Sequence, residues 1–181
     1  MPTPNNILHF WFSEKSRKYW FNQSDIFDEE INNRFSQHLL EANDRKYDHW
    51  KNQAQSALAL VILLDQFSRN IYRLSPKAYN GDEYARQIAL YVIDKQLDTE
   101  LSKEEKSFLY MPFMHSESLS DQELSVKLFK EAELKHSIPY AIEHHDIIKR
   151  FGRFPHRNAI LGRHSTQAEL DYLNSPDAFK G

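Results

Sequence analysis

Cysteine is absent from the chain. Its absence removes thiolate nucleophiles and disulfides, and any metal site would have to be built from His, Asp and Glu. Glycine is scarce, four in 181 residues, so few positions offer easy access to positive φ. Long apolar runs are missing as well. The longest, Ala57 to Leu64, falls well short of the ~18 residues that suggest a membrane span and reads as the core of a buried helix. The opening Met1-Pro2-Thr3-Pro4-Asn5-Asn6 has neither the basic nor the apolar region of a signal peptide, so a cytoplasmic setting is expected. A net charge of -3 argues against broad contact with nucleic acid or membrane. One absence is local. Between Ile147 and Gln167 there is no Asp or Glu, while Lys149, Arg150, Arg153, Arg157 and Arg163 crowd the same stretch.

That basic stretch lies between Gly152 and Gly162, with Pro155 fixing φ in its middle. Phe151, Phe154, Ile160 and Leu161 offer apolar anchors. The pattern predicts a pinned loop that holds arginines at set angles, suited to bidentate contact with carboxylate or phosphate.

The remainder is helical in pattern. A short aromatic turn covers Ile7 to Phe12. Ser24 or Asp25 caps a helix over 25–44, whose stripe is Phe27, Ile31, Phe35 and Leu39. A helix over 53–73 is apolar almost all round to Leu64 and then turns polar, with Asp65, Gln66, Arg69 and Asn70. Asp65 and Arg69, four apart, can pair on one face. A third helix over 80–96 turns Tyr84, Ile88, Tyr91 and Val92 inward. Ser102–Glu105, Ser120–Glu123 and Thr166–Glu169 read as capping boxes, and Pro112 should end or kink the helix that holds it. On a helix over 139–151, Ala141, His144, Ile148 and Phe151 share a stripe, which predicts a buried His144 with a partner for at least one ring nitrogen. Three capping boxes and no alternating strand pattern give an all-α protein of one domain, residues 1–181, with about six long helices in antiparallel pairs plus short terminal ones.

Several residues could carry chemistry. His115, Glu117, His144 and His156 are the candidate acid–base groups. Asp65, Gln66, Arg69, Asn70, Arg153, Arg157, Asn158 and Arg163 are the candidate ligand contacts. Two carboxylates, Asp65 and Glu117, are too few to neutralise Arg69, Arg153, Arg157 and Arg163, so an anion site is expected if all six meet.

Ile7 to Phe12, Leu64 to Arg73, Phe108 to Pro112, His115-Ser116-Glu117, Asp121-Gln122, His144, Arg150 to Asn158 and Leu161-Gly162-Arg163 together resemble a bacterial family, the domain of unknown function numbered 924. The resemblance covers nearly the whole chain. It departs at Ser68, where the family usually has proline, and at Leu74, where it usually has glycine. It implies a tetratricopeptide-like helical array and no particular activity.

Two classes of function fit these residues. One is a helical scaffold whose Arg/His-rich pocket binds an anionic small molecule or a peptide carboxylate. The other is an enzyme, a hydrolase or transferase, using His/Glu acid–base groups with arginines stabilising negative charge. No His-x-x-x-His pair supports a metal, no P-loop or dinucleotide fingerprint supports a cofactor, and no nucleic-acid motif accompanies the basic loop. The sequence leaves the oligomeric state open.

Overall fold

In a computed structural model the chain is described from residue 3 to residue 181; the reading of Met1 and Pro2 lies outside the described residues. Helix α1 (Pro4–Trp11) starts where Thr3 Oγ1 accepts the Asn6 N–H, and α2 (Glu14–Arg17) follows behind Ser13. Ser24 caps α3 (Asp25–Asn43), whose buried stripe is Phe27, Ile31, Phe35 and Leu39. The central helix is α4 (Ala54–Val61). It runs on through a π-helical turn, Ile62–Phe67, into α5 (Ser68–Ile71). Then come α6 (Asp82–Asp94), α7 (Lys103–Met114), α8 (Leu119–Glu131), α9 (Ile138–Phe151) and α10 (Gln167–Leu173). No strand occurs among the described residues, and the protein is all-α.

The core is built around α4. Residues Ala57 to Leu64, which span its end and the start of the π turn, are sealed from solvent, because α1, α6 and α7 pack on α4 and α3 packs on the π turn behind it. Trp11 sits at the aromatic centre, with the rings of Phe67 and Phe108 each 5.5 Å away in edge contacts. Burial of side chains this large accounts for most of the driving force for folding, roughly 1.5–3 kcal/mol for each fully buried apolar side chain. A smaller cluster of Ile147, Ile148 and Phe154, with Phe151, Tyr172 and Phe179 against it, pins the basic loop.

Local signals set most helix ends. Ser102 and Thr166 form complete capping boxes with Glu105 and Glu169. Gly152 stops α9 at φ 70°, the conformation in which glycine carries no Cβ penalty. The Ser120–Glu123 box does not form. Helix α8 begins at Leu119 behind Ser118, with no side-chain cap, so Ser120 lies inside the helix; Asp121 accepts from Arg86 and Ser116. Pro112 does not end its helix either; it lies inside α7, in the last turn before His115, among buried neighbours. Leu74 takes φ 59° and is largely exposed; a left-handed conformation of this kind costs a non-glycine residue about 1–2 kcal/mol. Ser68 uses its hydroxyl to donate to the Ala78 carbonyl.

Candidate functional site

The polar end of the central helix turns inward rather than to water. Asp65 lies in the π turn and is wholly buried. An extra residue in a helical turn re-aims the side chains around it, and such turns recur at functional sites. The Asp65 carboxylate is met from three sides: His115 Nδ1 at 2.7 Å, Gln66 Nε2 at 2.5 Å and Arg69 Nη1 at 3.2 Å. Burial alone would raise this carboxyl, but Arg69 and His115 outweigh it and hold the group below the usual carboxylate range. Asp65 is therefore an anion, and an anion at 2.7 Å needs a proton on His115 Nδ1. His115 is the residue that ends α7. Its Nε2 takes no partner among the described residues, and its side chain keeps 17% of its surface exposed.

Arg69 also donates to the Asp65 carbonyl and makes a two-pronged pair with Asp82, at 2.8 and 3.0 Å. Asp82 opens α6 and follows Gly81. A Cβ on Gly81 would sit 2.7 Å from the Leu64 carbonyl oxygen, so only glycine lets the start of α6 close on the central helix and bring Asp82 to Arg69. The same carboxylate lies 4.0 Å from Arg157 Nη1.

Arg157 is 7% exposed. Its Nη2 donates to the His115 carbonyl at 3.0 Å, and its buried Nε has no hydrogen-bond partner. The guanidinium carbon lies 4.7 Å from the centre of the Tyr79 ring and 4.5 Å from that of Phe154. Burial, with Arg69 nearby, lowers Arg157 to about 10, so it is still charged at pH 7.

The loop arginines Arg153 and Arg163 are each paired with a carboxylate. Arg163 grips Glu117 at 2.8 and 2.9 Å, and donates to Asn158 Oδ1 and to the Phe154 carbonyl. Glu117 in turn accepts the Phe154 N–H. Arg153 grips Glu169 at 2.6 and 2.8 Å, and Glu169 also accepts from Asn158 and from the Thr166 N–H. Glu117, Arg153, Asn158, Arg163 and Glu169 thus form a clasp that closes the loop. Asn70 is elsewhere, on Asp28 beside Arg73.

His144 is 5% exposed, and its Nδ1 donates to the Tyr140 carbonyl at 2.8 Å. Its ring centre is 6.4 Å from that of His115. The Phe179 ring lies 4.5 Å from His144 and 5.1 Å from His156. Desolvation depresses both histidines to about 3, so both are neutral at pH 7.

Apart from Asn70, which lies on Asp28, the candidates fall into three places and not one: an open group of Asp65, Gln66, Arg69, His115 and Arg157; the clasp; and an aromatic wing holding His144 and His156. The charge count that left two cations over is corrected here, because Asp82 and Glu169 bring the carboxylates to four against four arginines. Sequence reasoning missed both. Each sits in the first turn of a helix, where an acid is already explained by the helix dipole or a capping box. The signal for Asp82 was Gly81, one of few glycines, immediately before it. Tyr79 carried no signal. Among the described residues no group of three or more His, Asp or Glu is arranged to hold a metal ion, and no helix is long and apolar enough to cross a membrane.

A sequence model of a bacterial protein family of unknown function, DUF924, matches residues 7–177. A solved structure of a protein of unknown function from Agrobacterium tumefaciens is similar throughout, at 37% identity and a TM-score of 0.90, over 94% of this chain and 96% of that one. The chain matches no curated protein.

Proposed function

The chain belongs to the bacterial DUF924 family of unknown function, and for its open group we propose acid–base catalysis on a small anionic substrate, of hydrolase or transferase type. The observation that carries this reading is the Asp65–His115 pair at 2.7 Å. A buried carboxylate on Nδ1 fixes the imidazole tautomer and leaves the Nε2 lone pair to accept a proton from water or a substrate hydroxyl. It also stabilises the imidazolium that forms, as the carboxylate does in a hydrolase triad. Ser116, next in the chain, is held by Asp121 at 2.6 Å, so the nucleophile in this reading is water or the substrate's own hydroxyl. Arg157 is the substrate's anion contact, because it alone of the four arginines has no carboxylate within hydrogen-bond distance. The cytoplasmic setting belongs to the same proposal.

The second reading is a tetratricopeptide-like scaffold that binds an anion or a peptide carboxylate without chemistry. It is favoured by the Tyr79 and Phe154 rings against Arg157, which hold the guanidinium plane ready for a planar acid.

Turnover of p-nitrophenyl phosphate and p-nitrophenyl acetate, measured beside thermal shift with inorganic phosphate and citrate, separates the two. Catalysis predicts turnover of at least one ester, reduced about 10²–10⁴-fold in His115→Ala, and a higher KM in Arg157→Ala. Binding without chemistry predicts an anion-dependent shift that Arg157→Ala loses, and no turnover. Turnover unaffected by His115→Ala sinks the catalytic reading.

A further inference from the structure

A concave place in the molecule lies outside the open group. A cavity of about 350 Å³ is bounded by the Pro155–Arg157 turn, α10 and the segment after it. That volume is at the lower end of the range for small-molecule sites. Its floor is apolar, formed by Pro155, Ala159, Leu170 and Leu173, and both Ala159 and Leu170 remain open to water. Three polar side chains converge on it. Ser165 Oγ accepts from Asn158 Nδ2 at 3.0 Å, and its own O–H is free to donate. His156 takes no hydrogen bond among the described residues and is uncharged at pH 7, so it offers polarity without charge. Lys180 pairs with no carboxylate among the described residues. The cavity therefore combines exposed apolar floor, one unpaired cation and two neutral hydrogen-bonding groups.

We propose that this cavity binds a small carboxylate with an apolar chain, the chain lying on the floor and the carboxylate held by Lys180 and the Ser165 hydroxyl. Length of chain and negative charge are then both required. A bare anion lacks the apolar contact that removes Leu170 and Leu173 from water, and a neutral chain leaves the lysine unanswered.

Calorimetric titration of the full chain with octanoate, octanol and acetate tests this. Octanoate should bind at least about tenfold more tightly than either of the others, each of which lacks one half of the recognition. Ala159→Trp, which fills the floor, and Lys180→Glu, which reverses the charge, should each weaken octanoate by about tenfold or more. Both positions are exposed, so both variants should fold, and circular dichroism checks that they do. Octanoate binding that Arg157→Ala abolishes while Ala159→Trp and Lys180→Glu keep it places the carboxylate in the open group, and this cavity is then not its site. Octanoate that fails to bind, or binds equally well to both cavity variants, overturns the proposal. None of these outcomes depends on whether His115 is catalytic.

Discussion

Arg163 places its guanidinium donors on Glu117, Asn158 Oδ1 and the Phe154 carbonyl. Arg157, on the same loop, has one bond to a carbonyl, a buried Nε without partner, and no carboxylate closer than 4.0 Å. Arg163 is the less buried of the two and the better satisfied. The contrast shows how a cluster of like residues divides its work. The arginines that hold the loop each grip a carboxylate with two donors and a backbone carbonyl with Nη2. Arg157 has donors to spare and lies against the Tyr79 and Phe154 rings instead.

The largest effect should come from the acid beneath the open group. Asp65→Ala leaves Arg69 and His115 facing a buried gap, and removing one member of a buried ion pair costs about 3–5 kcal/mol. Urea denaturation should show that loss. A change under about 1 kcal/mol would mean that Asp65 is hydrated and that the pairing described here is wrong.

The two arginines themselves come next. Arg163→Met strips Glu117 of its charged partner and should cost about 2 kcal/mol. Arg157→Met replaces a desolvated cation that has no close carboxylate, and stability should stay within about 1 kcal/mol of wild type or rise. Equal losses in parallel urea titrations would erase the distinction between clasp and open group.

A smaller effect tests where an anion goes. Inorganic phosphate at about ten times its Kd should stabilise the wild type by about 1.4 kcal/mol through mass action. Arg157→Met should not respond. Any response that survives in Arg157→Met places the anion elsewhere.

Acid should act on the clasp and on the aromatic wing in different windows. Glu169 is lowered from 4.5 to about 2, chiefly by Arg153, and Glu117 is lowered through Arg163 against the effect of its burial. Folded pKa values below the unfolded ones make the clasp's contribution full above pH 4.5 and lost as pH falls toward 2. His144 and His156, lowered by desolvation from 6.5 to about 3, are neutral in the fold while the unfolded chain takes up protons. Their contribution is full above pH 6.5 and is already falling between 6.5 and 4.5. His144→Gln or His156→Gln should flatten that upper window in a stability–pH series, and Arg163→Met should leave it unchanged.

Much of the fold was legible because its signals are local. The Phe27–Ile31–Phe35–Leu39 stripe, the Ser102 and Thr166 boxes and the glycine stop at Gly152 depend on neighbours within one or two turns. The Asp65–Arg69 pairing and the burial of His144 followed from helical spacing, and both are present. The Ser120 box failed because α8 begins at Leu119 behind Ser118, which leaves Ser120 inside the helix where it cannot cap.

The sequence by itself determined an all-α chain, the buried run of its central helix, and a basic loop bracketed by glycines and anchored by Phe154. It also placed the polar residues at the edge of the core. Beyond the Asp65–Arg69 pair, only the tertiary structure decided which acid answers which arginine. Asp82 reaches Arg69 and Glu169 reaches Arg153 because α6 and α10 bring their first turns against distant segments. The physical reason is the range of the forces. Capping and periodicity act within a few residues of chain, while a charge finds its partner through space, and one glycine at position 81 can set that distance.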